Sequence, residues 1–355
     1  MTETMKAVDI RGGTGDASSL FINPETPKPI PTPQECLVRV RAFGLNRGDT
    51  MQRQGFYPPP PGVPKTLGLE FSGLIASVGG GENAGEMWKV GDEVFGLVYG
   101  GAYAEFVAVD KRMLMKKPPG LSWESCGGMC ESWFTAVQAL YLVGEFNPKL
   151  TRSVLWHAGA STVSICGIQL SVAAAQEDSS SASPKVFATT RQETKRDFCV
   201  SELGCTGAVN TLAYPDKGGW ESEIVQLNGG QGIDLIIDFI GGPYFSSNLA
   251  LAARDGKIIN LGLMGGALTA EGEAVNISPI IMKRLRYEGS TLRSRDVEYQ
   301  VRVKALFEEK VLPKILDGSF KNVISKVFEW ENVVEAHKLM ESNNTKGKIV
   351  CTISS

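Results

Sequence analysis

The stretch 153–170 limits the possible folds of this chain more than any other part of the sequence. It begins with Val154-Leu155-Trp156, an apolar run typical of a buried parallel strand. A short turn at 157–161 follows, and after it apolar side chains recur at helical spacing. A strand, a turn of small residues and a helix form the first unit of a dinucleotide-binding βαβ fold, in which the helix N-terminus binds the pyrophosphate.

The turn of this unit departs from the usual glycine pattern. Gly159 is present, but Thr162 and Ser164 stand where glycine normally lets the backbone approach a phosphate. The hydroxyl of Thr162 could instead donate a hydrogen bond to that phosphate. Taken alone, the stretch therefore fits both a nucleotide site and a purely structural βαβ unit.

Strands and helices alternate from residue 153 to about residue 262, which predicts an α/β fold with a doubly wound parallel sheet. The first 120 residues instead show strands between Gly and Pro turns. The last part of the chain predicts helices and a final strand that would close this β-rich part. We therefore expect two domains, one of residues 1–130 and 282–355 and one of residues 131–281.

The composition is that of an ordinary globular protein, since 43% of the 355 residues are hydrophobic and 21% are charged. A formal net charge of -3 argues against a surface dominated by nucleic-acid binding. No apolar run reaches the roughly 18 residues of a membrane span, and the N-terminus lacks a signal-peptide core. The seven cysteines include no C-x-x-C pair, which favours reduced thiols. We therefore expect a cytoplasmic protein without nucleic-acid or membrane partners.

Seven short motifs resemble those of one enzyme family and occur in the same order. They lie at residues 45–55, 67–70, 157–159, 238–242, 261–266, 292–295 and 347–350. By these motifs the sequence resembles the zinc-free quinone oxidoreductases of the medium-chain dehydrogenase/reductase superfamily, and most of all the p53-inducible branch. The resemblance implies a GroES-like β-barrel domain with an inserted Rossmann domain, and NADPH-dependent reduction.

The resemblance also bears on zinc. Zinc-dependent relatives hold the catalytic metal with a Cys after the first long strand and a His in a Gly-His-Glu triplet, and the matching residues here are Asn46 and Leu69. Leucine cannot bind a metal, and an amide oxygen is a poor zinc ligand. The region 90–110 also lacks the cysteines of a structural zinc lobe. We therefore predict no metal site, and reduction of an electrophilic substrate rather than alcohol oxidation.

The end of the second Rossmann strand predicts a preference for NADP(H). An NAD site usually has Asp or Glu there, whereas this strand ends in Thr190-Arg191. Arg191 could pair with the 2′-phosphate of NADP, and the resemblance adds Lys195 as a phosphate-binding residue. Glu193 is a competing carboxylate, and a solvated helix start is the alternative interpretation of these charges.

Motif and resemblance together assign a larger set of residues to the cofactor. These residues are Thr135, Ala158, Gly159, Ser161, Thr162, Val163, Thr190, Arg191, Lys195, Tyr214, Gly241, Gly262, Leu263, Met264, Gly265, Leu292, Arg293 and Lys348. Thr211 replaces the tyrosine that family members place beside the adenine, and Tyr214 is displaced from that position. His157 matches a family histidine, which we interpret as a packed residue rather than an acid.

The predicted catalytic residues are Tyr57, Asn46 and Asp49. The resemblance places Tyr57 at the mouth of the substrate cleft, where its hydroxyl could stabilise negative charge on a carbonyl oxygen as hydride arrives. Asn46 could orient that oxygen or the nicotinamide ribose, whereas Asp49 could act in catalysis or form a structural ion pair with Arg53. The expected substrate is a small quinone or conjugated carbonyl compound.

Two alternatives to a quinone reductase remain open. An enoyl or alkenal reductase would share the cofactor and the hydride chemistry but would reduce a carbon–carbon double bond. A non-catalytic Rossmann protein would account for the altered turn after residue 157. The resemblance also implies a homodimer or a tetramer, formed through the Rossmann sheet edge near residues 257–268.

Overall fold

The computed structural model describes residues 3–80, 87–177, 183–214, 219–269 and 274–354. Its strands are β1 Thr4–Ile10, β2 Leu20–Pro27, β3 Glu35–Gly44, β4 Glu70–Val78, β5 Glu93–Leu97, β6 Phe106–Asp110, β7 Leu114–Lys116, β8 Ser153–Trp156, β9 Lys185–Thr190, β10 Gly207–Asn210, β11 Ile233–Asp238, β12 Ala252–Asn260, β13 Arg286–Gly289, β14 Ile324–Glu329 and β15 Lys348–Thr352. Its α-helices are α1 Arg47–Arg53, α2 Trp123–Gly127, α3 Cys130–Val137, α4 Thr162–Glu177, α5 Glu193–Ser201, α6 Trp220–Leu227, α7 Phe245–Leu251, α8 Ser278–Met282, α9 Val297–Lys310, α10 Leu312–Leu316 and α11 Val333–Glu341.

The chain folds into two compact units. Unit 1 consists of Met1–Phe134 and Arg293–Ser355, and unit 2 consists of Thr135–Leu292. In unit 1, one sheet has the strand order β14-β15-β3-β4-β5-β7, and β6 also pairs with β3. Since β15 pairs antiparallel with β3, the C-terminal residues complete the sheet that the N-terminal residues begin.

Unit 2 contains a parallel sheet with the strand order β10-β9-β8-β11-β12-β13. This order confirms the doubly wound sheet predicted from the alternation of strands and helices. Val154, Leu155 and Trp156 of β8 are fully buried. An uninterrupted apolar strand is expected there, because strands of a parallel sheet are usually covered on both faces.

Strand β13 corrects two expectations about unit 2. The predicted Rossmann range ended at residue 281, but β13 pairs with β12 and continues the sheet to Gly289. Residues 257–260, predicted to lie near a sheet edge used for assembly, are instead flanked by β11 and β13. The sequence of β13, Arg-Tyr-Glu-Gly, is mostly exposed and lacks the apolar run by which the other strands are recognised. Assembly as a homodimer or tetramer stays a prediction.

Helix α4 packs tightly against the strand that precedes it. A Cβ atom at Gly167 would overlap the ring of Trp156, so only glycine allows this approach. The indole Nε1 of Trp156 donates a hydrogen bond of 3.1 Å to Ser171 Oγ on the same helix. These contacts hold the middle of α4 against the end of β8.

The expectations of reduced cysteines and of no membrane span can be compared with the structure. All seven cysteines are buried and unbridged, and burial raises the pKa of Cys36 to about 11 and that of Cys126 to about 12. Thiols with such pKa values are almost entirely protonated at neutral pH and therefore poor nucleophiles. Within the described ranges, no helix is both long enough and apolar enough to cross a membrane.

Candidate functional site

Unit 1 contains a buried ion pair between Lys348 and Glu70. The Lys348 ammonium also donates to Asn46 Oδ1 at 2.6 Å and to Ser132 Oγ at 3.2 Å. Glu70 Oε1 accepts from Asn46 Nδ2, and Glu70 Oε2 accepts from the backbone N–H of Glu131, both at 2.9 Å. Lys348 was predicted to bind the cofactor, but it is 1% exposed and its three protons already have acceptors. Its place in this cluster is therefore structural.

Asn46 and Asp49, both predicted to be catalytic, support the fold around this ion pair. Both ends of the Asn46 amide are occupied, by Lys348 and by Glu70. Asp49 Oδ2 accepts from the Asn46 backbone N–H at 2.8 Å and from the Tyr103 hydroxyl at 3.1 Å. Burial raises the pKa of Asp49 to about 6, although these hydrogen bonds oppose the shift.

The alternative interpretation of Asp49, an ion pair with Arg53, is wrong. Arg53 is fully buried and pairs with Glu341 instead. It also contacts His337, with 2.9 Å between Arg53 Nη1 and His337 Nδ1. The partners lie almost 290 residues apart in the sequence. The local spacing of Asp49 and Arg53 gave no sign of this arrangement.

Tyr57 and Arg293 lie side by side in unit 1. The guanidinium carbon of Arg293 is 5.4 Å from the centre of the Tyr57 ring, which is a cation–π contact. Arg293 Nε donates to the backbone oxygen of Tyr99 at 2.6 Å. Neither Nη atom of Arg293 has a hydrogen-bond partner among the described residues, although the residue is only 5% exposed. Burial raises the pKa of Tyr57 and lowers that of Arg293.

Glu131 is a candidate residue that the sequence analysis missed. It lies in the first turn of α3 and remains partly accessible. Burial, reinforced by the charge of Glu70, raises the pKa of Glu131 to about 8, while Lys348 and Arg293 oppose the shift. The carboxyl group forms no hydrogen bond with any of the described residues. The available signal was a single acidic residue within the otherwise uncharged run 129–137.

In unit 2, the turn between β8 and α4 is closed by side-chain hydroxyls. Ser164 is fully buried, and its Oγ donates to the His157 backbone oxygen at 2.7 Å. Ser161 Oγ in turn donates to Ser164 Oγ at 3.0 Å. A Cβ atom at Gly159 would come within 2.8 Å of Ala188 Cβ, so this position needs glycine. The hydroxyl of Ser164 is therefore used within the turn.

His157 is a packed residue of unit 2. Its Nε2 lies 2.7 Å from Asn248 Oδ1, which can only accept, so Nε2 carries the proton. Nδ1 then accepts from the Thr189 hydroxyl at 2.8 Å. Burial lowers the pKa of His157, which keeps the imidazole neutral. The side chain is completely buried, an arrangement that suits packing rather than proton transfer to a ligand.

The loops after β11 and β12 are joined by backbone hydrogen bonds. The Met264 N–H donates to the Phe239 oxygen at 2.9 Å, and the Gly265 N–H donates to the Ile240 oxygen at 2.9 Å. The buried Asp238 carboxylate accepts from the Ile240 N–H at 2.7 Å and thereby shapes the first loop. The predicted cofactor residues in these two loops are Gly241, Gly262, Leu263, Met264 and Gly265.

The tip of the second strand of unit 2 leaves one cation exposed. Arg191 directly follows β9, and no described residue forms an ion pair with it. Glu193, the competing carboxylate, accepts from Asn210 Nδ2 at 2.7 Å and pairs with Arg196 at 2.7 Å. Glu193 is thus engaged with Asn210 and Arg196. With no ion-pair partner among the described residues, the exposed Arg191 guanidinium could bind an anionic ligand.

The parallel sheet brings most of the predicted cofactor residues to the carboxyl ends of its strands. At the carboxyl ends of β8, β9, β10, β11 and β12 lie residues 158–163, 190–195, 211–214, 239–242 and 261–265, respectively. In a parallel sheet these ends share one side, where dinucleotides bind. Thr135 and Leu292 are the first and last residues of unit 2, whereas Arg293 and Lys348 belong to unit 1.

Two family models match this chain. The model of the alcohol dehydrogenase GroES-like domain matches residues 32–119. The model of the zinc-binding dehydrogenase matches residues 171–308. The first range lies in unit 1, and the second begins in unit 2 and extends into α9. Together they cover parts of both units and bear out the predicted combination of a GroES-like domain with a Rossmann sheet.

Individual relatives agree with these models. The chain is 28% identical over 341 residues to a quinone oxidoreductase of Pongo abelii, covering 95% of this chain and 94% of the relative. A solved NAD-dependent alcohol dehydrogenase is 28% identical, with a TM-score of 0.80 and coverage of 99% and 100%. A quinone oxidoreductase of Escherichia coli, solved with NADPH, is 22% identical, with a TM-score of 0.81 and the same coverage. The chain therefore belongs to the medium-chain dehydrogenase/reductase superfamily, a family of oxidoreductases.

Proposed function

We propose that this protein is an NADP(H)-dependent reductase of quinones that works without zinc. The observation that carries the proposal is the pair of Tyr57 and Arg293 in unit 1. It offers a phenol and two buried guanidinium nitrogens that have no acceptor among the described residues. Buried donors without acceptors are costly unless a ligand supplies the acceptor. A carbonyl oxygen that gains negative charge during reduction is such an acceptor.

Zinc, which the name of one matching family model implies, does not fit the residues of unit 1. Asn46 and Leu69 stand where zinc-dependent relatives have Cys and His, and neither is a good zinc ligand. The oxygens of Asn46 and Glu70 already accept hydrogen bonds from Lys348, whose charge would repel a cation placed among them. Within the described part of the chain, no three His, Cys, Asp or Glu side chains are grouped as metal ligands.

The residues at the carboxyl ends of the unit 2 strands fit a nicotinamide dinucleotide. The N-terminus of α4 offers backbone N–H groups for the pyrophosphate. Arg191 offers a guanidinium without an ion pair among the described residues for a 2′-phosphate, which favours NADP(H) over NAD(H). Bound NADPH would supply the hydride. The Escherichia coli quinone oxidoreductase, which was solved with NADPH, supports this choice by analogy of fold.

Tyr57 and Arg293 would act as hydrogen-bond donors that are already in position for the substrate oxygen. The phenol would donate a hydrogen bond to the substrate oxygen, and the free face of the guanidinium would stabilise the negative charge that develops there. Both groups are held before the substrate arrives, Tyr57 by stacking and Arg293 by its bond to the Tyr99 oxygen. Preorganised donors of this kind lower the barrier without rearrangement during the reaction.

We expect Tyr57→Phe to lower kcat/KM for a quinone about 2- to 12-fold, because one neutral hydrogen bond contributes about 0.5–1.5 kcal/mol. The stack with Arg293 is kept, since phenylalanine retains the ring. Steady-state kinetics with a fixed NADPH concentration would measure the change. Tyr287→Phe, on β13 in unit 2, is the matched control and should leave kcat/KM unaltered. Unchanged turnover in Tyr57→Phe would remove this phenol from the mechanism.

The function itself can be tested with purified, chelator-treated protein. We expect NADPH oxidation in the presence of a simple quinone, with one hydroquinone formed for each NADPH consumed. Loss of the conjugated absorbance of an alkenal, without quinone reduction, would favour the enoyl or alkenal reductase instead. Nucleotide binding without turnover of either substrate would favour the non-catalytic alternative. Activity that disappears with the chelator and returns with zinc would contradict the zinc-free proposal.

A further inference from the structure

The Tyr57–Arg293 pair lacks a ready source of protons. Burial, together with the charge of Glu131, raises the pKa of Tyr57, so the phenol is a weaker acid than usual. Arg293 remains charged, since guanidinium groups do not lose their proton in proteins. A group that protonates a substrate near neutral pH needs a pKa near that pH. Neither member of the pair meets this requirement.

Glu131 is connected to this pair through Glu70 and Leu69. Its backbone N–H is bound to Glu70, the residue after Leu69. Leu69 and Tyr57 both pack around Gly48, because a Cβ atom there would be 3.6 Å from Leu69 Cδ1 and 3.5 Å from Tyr57 Cε1. The charges of Glu131 and of Tyr57 and Arg293 also act on one another. The protonation of Glu131 and the charges of the Tyr57–Arg293 pair thus depend on each other.

We propose that Glu131 is the proton donor to the substrate oxygen that Tyr57 and Arg293 bind. Three observations support this role. The side chain is partly accessible, its carboxyl group has no hydrogen-bond partner among the described residues, and it stands in the first turn of α3. The inference rests on the proposed function, because it names the acid of the same reaction.

The charges around Glu131 explain why it holds a proton. The charged or titratable groups that act on it are Glu70 on β4, Asp49 on α1, Lys348 on β15 and Arg293 before α9. Burial and the two carboxylates favour the neutral acid, and the two cations favour the carboxylate. Lys348 is already paired with Glu70, and Arg293 stacks on Tyr57. The net result is a pKa of about 8, so most Glu131 side chains are protonated at neutral pH.

The step balances in atoms and electrons. Bound NADPH would supply the hydride with its two electrons, as in the proposed function. A quinone that has taken up this hydride has lost one C=O π bond, and the electron pair of that bond remains on the oxygen. The Glu131 O–H bond then breaks while an O–H bond forms on that oxygen. The ring carbon that received the hydride finally loses its hydrogen as a proton and keeps the electron pair in the ring, while the second carbonyl oxygen gains a proton from water, and the aromatic hydroquinone results. The resulting Glu131 carboxylate regains a proton from water before the next cycle.

Infrared titration of the full-length protein tests the protonation state without any turnover. A protonated carboxyl group has a C=O stretching band distinct from that of a carboxylate. We expect such a band in the wild type at neutral pH, lost as the pH rises through about 8 and missing in Glu131→Gln. Absence of the band at neutral pH would overturn the proposal, whether or not the protein reduces quinones.

Kinetics test the transfer itself. Glutamine keeps the shape of the side chain but cannot release a proton, so we expect kcat of Glu131→Gln to fall about 10²- to 10⁴-fold. The affinity for NADPH should stay unchanged, and the loss of wild-type activity above about pH 8 should vanish in the variant. Glu131→Asp should restore part of the rate, because the acid is kept. The exposed Glu335→Gln on α11 is the control and should behave as wild type.

The outcomes separate the inference from the proposed function. Quinone reduction with equal kcat and equal pH profile in wild type and Glu131→Gln would overturn the role of Glu131 and leave the reductase proposal intact. A carboxyl band that titrates as expected, in a protein with no reductase turnover, would instead overturn the proposed function and with it the role of Glu131.

Discussion

Replacing Lys348 with Met should lower the free energy of unfolding by about 3–5 kcal/mol, because it removes the positive partner of a buried carboxylate. Glu70 is fully buried and would lose its ion pair, and Asn46 Oδ1 would lose its donor. Methionine has nearly the shape of lysine, so little of the loss would come from a cavity. Urea denaturation followed by tryptophan fluorescence would measure it, with Trp133 of unit 1 as a nearby reporter.

Two control variants test whether the unpaired charge of Glu70 causes the loss of stability. The double variant Lys348→Met with Glu70→Gln removes both charges and should recover much of the loss, since an uncompensated buried charge is the main cost. Arg284→Met breaks the surface pair with Asp255 and should have a far smaller effect. If Lys348→Met were as stable as the wild type but bound NADPH more weakly, the sequence-based assignment of Lys348 to the cofactor would be correct.

Replacing Arg191 with Ala should weaken NADPH binding about 10- to 150-fold, because a hydrogen bond to a charged group contributes about 1.5–3 kcal/mol. The affinity for NADH should stay the same, since NADH has no 2′-phosphate. We expect this loss because Arg191 is exposed and has no ion pair with a described residue, so its guanidinium can bind the 2′-phosphate. Fluorescence titration of each variant with both nucleotides would give the two dissociation constants.

Arg196→Ala is the matched control for this experiment. Arg196 lies on the same helix start, but its guanidinium is paired with Glu193 and Asp197. Its removal should change the affinity for NADPH far less than the removal of Arg191. An equal loss of NADH and NADPH binding in Arg191→Ala would show that the side chain supports the local fold and does not select the 2′-phosphate.

The parallel sheet of unit 2 could be predicted because its information is local. Apart from β13, its strands carry short apolar stretches, and each turn follows within a few positions. Strand β13 escaped prediction for the same reason, since Arg286–Gly289 carries no apolar run. Its place in the sheet depends on β12, a neighbour in space rather than in the sequence pattern.

The charge cluster of unit 1 could not be predicted, because its members are distant in sequence. Lys348 is separated from Asn46 by 302 positions and from Ser132 by 216. No local spacing relates these residues, so the sequence could not show that Lys348 and Asn46 contact each other. Glu131 was missed because its significance comes from burial beside Glu70, which only the folded chain shows.

The altered phosphate turn illustrates a third case. The sequence shows that Ser164 replaces a glycine, which left a functional and a structural interpretation equally open. The structure shows that its hydroxyl is used inside the turn, on the His157 carbonyl oxygen. Thr162 remains half-buried at the start of α4, and its effect on phosphate binding stays a prediction.

Binding of NADPH compared with NADH to the purified chain tests the central claim most directly. Fluorescence titration needs no substrate and no assumption about the reaction. We expect NADPH to bind in the micromolar range and NADH much more weakly, with Arg191 responsible for the difference. If neither nucleotide bound at millimolar concentration, the turn at residues 158–163 would be closed to phosphate, and a nicotinamide-dependent reductase would be contradicted.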